Sequence, residues 1–258
     1  MSNISVNQID SIALVTVTRP KVLNAINSKT IKELHETFRE LKEDTKVRVV
    51  ILTGEGDRAF IAGADISELT QMTPTSAREV ARRGQALCDL IEGVGKPVIA
   101  AINGFALGGG CEIAMACTFR LAADTAKIGQ PEVNLGLIAG FGGSQRLPRL
   151  VGPGPALELL LTGDTVTADE AWRLGLVNHV FPSNRLQEET HLLASKLAAK
   201  PPLAVKYTLD AVQRGMNMSL SEGCDFEATL FGLVAATDDM REGTQAFLGK
   251  RKAEFLGR

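Results

Sequence analysis

In the N-terminal half, segments with the two-residue period of strands alternate with segments of helical period. This alternation restricts the possible folds more than any other feature of the sequence. β-Branched residues predict a strand over 12–18, and mostly apolar runs predict strands over 47–53 and 98–102. Two helices are predicted between them, the first capped by Ser28, with inward faces formed by Ile31, Leu34, Phe38 and Leu41 and by Val80, Gly84, Leu87, Cys88 and Ile91. Strands separated in this way require crossover connections, which predicts an α/β architecture.

The C-terminal half is predicted to be mainly helical. Only 176–181 has the character of a strand, whereas helical periodicity covers 186–199 and 203–212 and continues through Leu220, Cys224, Phe231 and Val234. No Ser/Gly-rich linker precedes these helices. We therefore expect them to pack on the α/β body or on another subunit, and not to form an independent domain.

Composition excludes several classes of function. The 258 residues include 28 Lys and Arg against 30 Asp and Glu, a net charge of −2, which argues against nucleic-acid binding. The apolar run 97–111 is too short and too rich in glycine to span a membrane, and 1–9 does not resemble a signal peptide. The cysteines fit no zinc or redox motif, which predicts buried, reduced thiols in a cytoplasmic protein: Cys88, Cys111, Cys117 and Cys224.

Glycines are concentrated directly after predicted strands. Gly63 follows an apolar run, three consecutive glycines at 108–110 follow the strand 98–102, and Gly140, Gly142 and Gly143 form a third group. Residues after the strands of an α/β sheet line the crevice where ligands usually bind. Glycine also lets a backbone N–H approach a ligand without an intervening side chain. The glycine groups therefore predict a binding pocket.

Common catalytic motifs are missing from the sequence. Neither Gly95-Lys96 nor Gly249-Lys250 belongs to a phosphate-binding loop, and 108–113 lacks the third glycine of a dinucleotide-binding fingerprint. Ser144 lacks the following glycine that a nucleophile elbow requires. The histidines form no zinc-binding pair and are interpreted as structural: His35, His179 and His191.

Two carboxylates remain as candidates for chemistry. Glu112 is the only charge in the apolar segment 111–117, at the start of a predicted helix, and Glu132 is isolated in the segment 128–135. Carboxylates are rarely buried without a partner or a task. Taken singly, Glu112 could merely stabilise the helix dipole and Glu132 could be solvated. In one glycine-lined pocket they would form an acid/base pair with separated pKa values.

Five segments together resemble the crotonase, or enoyl-CoA hydratase, superfamily, and they span nearly the whole chain: 61–66, 97–112, 129–132, 140–146 and 236–250. Within that superfamily the sequence most resembles bacterial short-chain enoyl-CoA hydratases of the 3-hydroxybutyryl-CoA dehydratase type. The resemblance implies an α/β spiral of ββα repeats. It also implies a division into a core with the active site at 1–195 and a helical trimerisation region at 196–258, often in a dimer of trimers.

The resemblance also assigns roles to residues of the pocket. It implies that Glu112 and Glu132 are the catalytic pair and that the N–H groups of Ala64 and Gly109 form an oxyanion hole. Gly140 would hold the water or the 3-hydroxyl group. Coenzyme A would contact Lys21, Val22, Leu23, Ala62, Ala64, Asp65 and Ile66, and Phe247 and Lys250 of a neighbouring subunit.

The reaction implied is reversible syn addition of water to a short trans-2-enoyl-CoA, a step of fatty acid β-oxidation or butanoate metabolism. Coenzyme A is part of the substrate, so no metal and no separate cofactor is expected. The position of Glu112 at a helix N-terminus favours its ionised form, which suits a base. An apolar setting would raise the pKa of Glu132, which suits an acid.

Two departures from the family pattern concern structure and specificity. Thr118 stands where Asp is usual, which we expect to be structural, and Ala139 stands where Pro is common, which leaves the acyl chain length open. Candidate walls of the acyl pocket are Leu69, Met72, Ile138 and Phe141.

The main alternatives are an enoyl-CoA isomerase, which needs one carboxylate only, an RNA-binding protein on the same fold and a non-catalytic acyl-CoA-binding scaffold. The presence of both glutamates favours the hydratase over the isomerase. The net charge and the scarcity of aromatic residues argue against RNA binding.

Overall fold

The computed structural model describes residues 2–70 and 72–258. Within them it contains ten strands: β1 (Ile4–Ile9), β2 (Ile12–Val17), β3 (Val49–Gly54), β4 (Ala59–Ile61), β5 (Val98–Ile102), β6 (Phe105–Leu107), β7 (Phe119–Ala123), β8 (Lys127–Gly129), β9 (Thr165–Thr167) and β10 (His179–Phe181). The strands β2, β3 and β5 confirm the three strands predicted for the N-terminal half, and β10 falls within the predicted 176–181.

The same residues contain eleven α-helices: α1 (Ser28–Glu43), α2 (Ile66–Leu69), α3 (Pro74–Glu92), α4 (Gly109–Ala116), α5 (Gly143–Val151), α6 (Pro153–Thr162), α7 (Ala168–Arg173), α8 (Leu186–Ala198), α9 (Pro202–Gly215), α10 (Leu220–Ala235) and α11 (Asp238–Leu248). Two short 3₁₀ turns lie at Pro20–Val22 and Pro131–Leu135. None of the helices in this part of the chain is long and apolar enough to cross a membrane.

The strands form two sheets, in each of which most neighbouring strands are parallel. One has six strands in the order β1-β2-β3-β5-β7-β10 and the other has four in the order β4-β6-β8-β9. Only β1 and β9, each at an edge, are antiparallel to their neighbours. The parallel pairing of β2, β3, β5 and β7 confirms the crossover connections predicted from the sequence.

Each repeat adds one strand to each sheet. The pairs β3 and β4, β5 and β6, and β7 and β8 follow one another within a few residues, and helices connect one pair to the next. In the first repeat the second strand is reduced to a single parallel bridge between Ile26 and Ala64. This arrangement confirms the predicted spiral of ββα repeats.

Two predictions about individual residues are wrong. The cap of α1 is Asn27, whose side chain accepts a hydrogen bond from the Thr30 N–H at 2.9 Å, because Ser28 is already the first helical residue. Cys224 is exposed on α10, whereas the other cysteines are buried as expected, and all four are free thiols.

Both faces of the six-stranded sheet are covered. The larger apolar core lies between this sheet, the small sheet and helices α1, α3 and α4, and includes Phe38, Phe60 and Leu87. Helix α8 covers the other face, where Ala194 packs with Ile99 and Leu121. Helices α9 to α11 leave large apolar side chains exposed, namely Val212, Met216, Leu220, Phe231, Leu233, Phe247 and Leu248. The C-terminal helices therefore have an apolar surface that one chain does not cover.

Candidate active site

The carboxyl ends of three short parallel strands meet at one edge of the small sheet. Ala62–Asp65 follow β4, Gly108–Gly110 follow β6, and Gln130–Glu132 follow β8. Neighbouring parallel strands end at the same edge, so segments far apart in sequence become adjacent. The structure thus brings together the glycine groups and both candidate carboxylates.

Two of the three consecutive glycines, Gly108 and Gly110, are needed for different physical reasons. Gly108 has a φ of +51°, and a Cβ there would lie 2.8 Å from Oε1 of Glu132. A Cβ on Gly110 would lie 2.0 Å from the carbonyl oxygen of Ile61, closer than real atoms approach. Small residues at these positions therefore allow α4 to begin directly against β4 and Glu132 to approach its N-terminus.

At this edge, the backbone N–H groups of Ala64 and Gly109 take no part in the regular hydrogen bonding of a strand or a helix. At the bridge, the Ile26 N–H donates to Gly63 and the Asp65 N–H donates to Ile26, so the Ala64 N–H takes no part. Gly109 is the first residue of α4, and the first intrahelical bond runs from the Glu112 N–H to Gly108. First-turn N–H groups have no partner within their helix and carry partial positive charge. Ala64 and Gly109 thus provide two donors suited to an oxyanion.

Glu112 is buried but accepts two backbone hydrogen bonds. Its Oε1 lies 2.7 Å from the Phe141 nitrogen and 2.6 Å from the Gly143 nitrogen, and its residue is 1% exposed. Burial raises the pKa of Glu112 to about 7, with a further contribution from the charge of Glu132, although both N–H groups act to lower it. Loss of hydration on burial therefore opposes the ionised form of the Glu112 carboxyl, which the helix N-terminus was expected to favour.

Glu132 lies in the 3₁₀ turn Pro131–Leu135 and is half-buried. As expected from its apolar setting, burial raises the pKa of the Glu132 carboxyl above its ordinary value. The amide of Gln130, turned with its nitrogen toward Glu132, donates to Oε1 at 3.1 Å and to Oε2 at 3.2 Å. The site therefore combines two carboxyl groups whose pKa values are raised by burial with two backbone N–H groups suited to binding an oxyanion.

A comparison with known proteins identifies the family. The sequence profile of the enoyl-CoA hydratase/isomerase family matches residues 7–258. The chain belongs to the enoyl-CoA hydratase/isomerase family. The resemblance stated from the five sequence segments is thereby confirmed.

Individual members of the enoyl-CoA hydratase/isomerase family match over nearly the full length. A Syntrophomonas wolfei protein named crotonyl-CoA hydratase is 47% identical over 256 residues, covering 99% of this chain and 98% of its own. A Clostridium acetobutylicum short-chain-enoyl-CoA hydratase is 45% identical over 254 residues, covering 98% and 97%. The crystal structure of an enoyl-CoA hydratase from Bacillus anthracis superimposes with a TM-score of 0.97 at 39% identity, covering 100% of both chains. The fold is therefore that of the enoyl-CoA hydratases.

In this enoyl-CoA hydratase/isomerase family member, the loop predicted to contact coenzyme A lies against residues 62–65, which follow β4. The Leu23 carbonyl accepts a hydrogen bond from the Ala62 N–H at 3.1 Å. Asp65 forms an ion pair with Arg19 at 3.1 Å. A hydrogen bond from Ser67 and a weaker contribution from Arg19 lower the pKa of the Asp65 carboxyl. Lys21, Val22 and Ile66 are exposed beside these contacts. Residues 21–23 and 62–66 thus form one continuous surface.

Phe247 and Lys250 lie elsewhere on the surface. Phe247, 83% exposed, is near the end of α11, and Lys250 follows that helix with a φ of +50°. Within one chain both residues belong to the surface of the C-terminal helices. A role at the coenzyme A site depends on a neighbouring subunit.

The segment 138–143 contains two predicted pocket residues in different environments. Ile138 is exposed, whereas the ring of Phe141 is 5% exposed and packed in the core near Gly84 and Gly109, so Phe141 is not an open wall. Leu69 and Met72 are partly buried. Thr118 accepts a hydrogen bond from the Val98 N–H at 3.1 Å, which confirms its structural role.

Sequence reasoning missed the groups that hold the two carboxyls. The donors to Glu112 are backbone N–H groups, which have no sequence signature, and Gln130 lies within the segment 129–132 but was assigned no role from the sequence. The isolation of Glu112 in an apolar segment was nevertheless a usable signal, because a buried carboxylate requires donors. Among residues 2–70 and 72–258, no group of three or more His, Cys, Asp or Glu side chains could hold a metal ion.

Proposed function

We propose that this chain is a short-chain enoyl-CoA hydratase, a hydro-lyase that reversibly adds water, in syn fashion, across the 2,3 double bond of crotonyl-CoA or a similar trans-2-enoyl-CoA. The observation that carries the proposal is the placement of Glu112 and Glu132 together beside the N–H groups of Ala64 and Gly109. The names of the Syntrophomonas and Clostridium relatives support the same substrate class.

The oxyanion donors make the addition possible. A 2-enoyl thioester accepts water at C3 when negative charge develops on its carbonyl oxygen. The N–H groups of Ala64 and Gly109 would bind that oxygen, and the N-terminus of α4 adds its dipole. Removal of one such donor in other enzymes costs about 2.7–4 kcal/mol, so these two groups supply a large part of the catalysis.

The carboxyl groups handle the protons. Ionised Glu112 takes a proton from water as its oxygen bonds to C3, and protonated Glu132 gives a proton to C2, which receives the electron pair of the double bond. Gly140 would position the water through its N–H. A pKa of about 7 suits Glu112 because a general base works best when its pKa lies near the working pH. Burial raises the pKa of the Glu132 carboxyl as well, and the mechanism requires this carboxyl to begin the reaction protonated.

The coenzyme A part of the substrate is assigned to the surface beside the Ala64 N–H group. Coenzyme A would lie along residues 21–23 and 62–66, and Lys250 of a neighbouring subunit would meet its phosphates as a point charge. Phe247 and Lys250 of a neighbouring subunit would complete the site. This part of the proposal requires an oligomer.

The proposed oligomer is a trimer or a dimer of trimers formed through the C-terminal helices. Its support is the exposed apolar surface of α9 to α11, which includes Leu220 at 85% and Phe231 at 76% exposure. We further propose a core at 1–195 and a trimerisation region at 196–258, a junction that falls in the last turn of α8. A cytoplasmic location and a step in fatty acid β-oxidation or butanoate metabolism complete the proposal.

The proposal is tested by following the loss of the conjugated thioester absorbance when the purified protein is given crotonyl-CoA and water. We expect rapid hydration to 3-hydroxybutyryl-CoA, and kcat/KM that falls as the enoyl chain is lengthened from four to ten carbons. A protein that moves the double bond of a 3-enoyl-CoA but does not hydrate crotonyl-CoA would be an isomerase. Binding without turnover of either substrate would indicate a scaffold.

A further inference from the structure

The ring of Phe141 occupies a space that a side chain on α3 would close. Gly84 lies in the middle of α3, and a Cβ added there would be 2.1 Å from Cδ1 of Phe141. On its other side the ring approaches Gly109, whose added Cβ would lie 3.2 Å from Cε2. The ring is therefore wedged between the backbone of α3 and the first residue of α4.

The backbone around Phe141 is also tied to α3. The side-chain amide of Gln85 donates to the Gly140 carbonyl at 2.9 Å. Arg146 donates to the Phe141 carbonyl at 3.0 Å while its guanidinium is held by Glu92 and Asp89, each at 2.8 Å. The ring and both peptide groups beside it are thus fixed relative to one helix.

This fixation bears directly on the chemistry. The Phe141 N–H donates to Oε1 of Glu112, and the ring packs against Gly109, the proposed oxyanion donor. A displaced ring would move both contacts together. Misplacement of a catalytic group by about 1 Å can cost about 100-fold in rate.

We propose that Gly84 and Phe141 are a pair of positioning residues: the glycine admits the aromatic ring against α3, and the seated ring holds the Glu112 carboxylate and the Gly109 N–H in one geometry. The inference rests on the proposed hydratase function. Neither residue is assigned a contact with the substrate. Glycine at position 84 is otherwise unfavourable, since glycine within a helix is less stable than alanine.

The test compares Gly84→Ala, Phe141→Ala and the double variant with a matched control, Gly154→Ala. Gly154 also lies in a helix, but nothing lies within 4 Å of its added Cβ. For Gly84→Ala we expect kcat for crotonyl-CoA to fall about 10- to 100-fold with KM within about twofold. The ascending limb in the pH profile of kcat/KM should move from about 7 to higher pH, because Glu112 loses an N–H donor that lowers its pKa. Gly154→Ala should match the wild type in both measurements.

The double variant keeps the test decisive even if Gly84→Ala alone does not fold. Phe141→Ala removes every side-chain atom beyond Cβ, including the Cγ, Cδ1 and Cε1 that the new methyl group would meet, so adding Gly84→Ala to Phe141→Ala should change kcat by less than about threefold. A further loss of tenfold or more in that background would overturn the proposal. So would a Gly84→Ala protein with wild-type kcat, or one with reduced kcat and an unmoved pH limb.

Failure of the proposed function would be seen separately. A wild-type protein that does not hydrate crotonyl-CoA contradicts the hydratase assignment. The positioning role is then read from the titration of the Glu112 carboxyl by carbon-13 NMR, with Glu112→Gln used for assignment. An unchanged Glu112 titration in Gly84→Ala would overturn the inference independently of activity.

Discussion

At the scale of single residues, Glu112 is placed where folding and catalysis make opposite demands. Its side chain is buried, and burial raises its pKa from the ordinary value of 4.5 to about 7. Between these two pH values the native state holds a proton that the unfolded chain has lost. The free energy of unfolding should therefore fall as pH rises from about 4.5 to about 7.

We predict that Glu112→Gln stabilises the protein at high pH while abolishing most of its activity. Glutamine can still accept hydrogen bonds from the Phe141 and Gly143 N–H groups but carries no buried charge. Chemical denaturation at pH 9 should give a free energy of unfolding higher by on the order of 3 kcal/mol, and the difference should vanish below about pH 4.5. The exposed Glu40 on α1 supplies the control Glu40→Gln, which should show no such pH dependence. A variant less stable than the wild type at every pH would contradict the prediction.

The kinetic prediction concerns the two carboxyls as a unit. Glu112→Gln and Glu132→Gln should each lower kcat for crotonyl-CoA by at least about 100-fold with little change in KM, because each removes one proton-transfer group. The double variant should lose much less than the product of the two single effects, since either change already breaks the proton path. Hydration at a near wild-type rate by either single variant would refute the two-carboxylate mechanism.

What the sequence predicted at this scale depended on side-chain chemistry. Glu112 and Glu132 could be singled out because isolated charges in apolar segments need an explanation. The pKa of Glu112 could not, because it depends on how completely later parts of the chain exclude water. The N–H groups of Phe141 and Gly143 could not be identified either, since every residue except proline has one.

At the scale of elements, α4 depends on contact with β4. Gly110 lets the helix approach so closely that its Cα lies against the Ile61 carbonyl. Any side chain at this position must separate the helix from the small sheet. The position of the oxyanion donor depends on the same contact.

We predict that Gly110→Ala is strongly destabilising although alanine favours helices. Its methyl group would lie 2.0 Å from the Ile61 carbonyl oxygen, and overpacking of this kind costs about 1–3 kcal/mol or more. Urea denaturation should show a lower midpoint with little change in slope. In contrast, Gly154→Ala should leave the midpoint unchanged or raise it slightly. Equal midpoints for the two variants would mean that the contact between α4 and β4 can relax.

Element length decided how much of the fold could be predicted. The strands β2, β3 and β5, of five or six residues, carry enough β-branched and apolar residues to be recognised. The strands of the small sheet have three residues each, too few to establish a two-residue period. The ββα repeat and its spiral could therefore be predicted only from the family resemblance. The small sheet could not be predicted from local sequence, because it forms by pairing between segments that are distant in the chain.

At the scale of the whole molecule, the apolar surface of α9 to α11 predicts self-association. Sedimentation of the wild type should give three or six times the mass of the chain. Phe231→Ser combined with Leu220→Ser should shift the distribution to smaller species and raise KM, because Phe247 and Lys250 would no longer reach a neighbouring site. Ile9→Thr on β1, which also changes an exposed apolar residue, should leave the mass unchanged. A wild-type monomer with full activity would contradict both the oligomer and the shared site.

The order in which the repeats are made has a consequence for the nascent chain. A chain synthesised only as far as residue 138 already contains Ala64, Gly109, Glu112 and Glu132, but not the N–H groups of residues 141 and 143 that pair with Glu112. Without these donors, burying that ionised carboxylate is strongly unfavourable, so the carboxyl either remains hydrated or takes up a proton, and in neither form is it held as a buried base. The chain therefore acquires competence for its reaction in one late step of folding, and not gradually as strands are added on the ribosome.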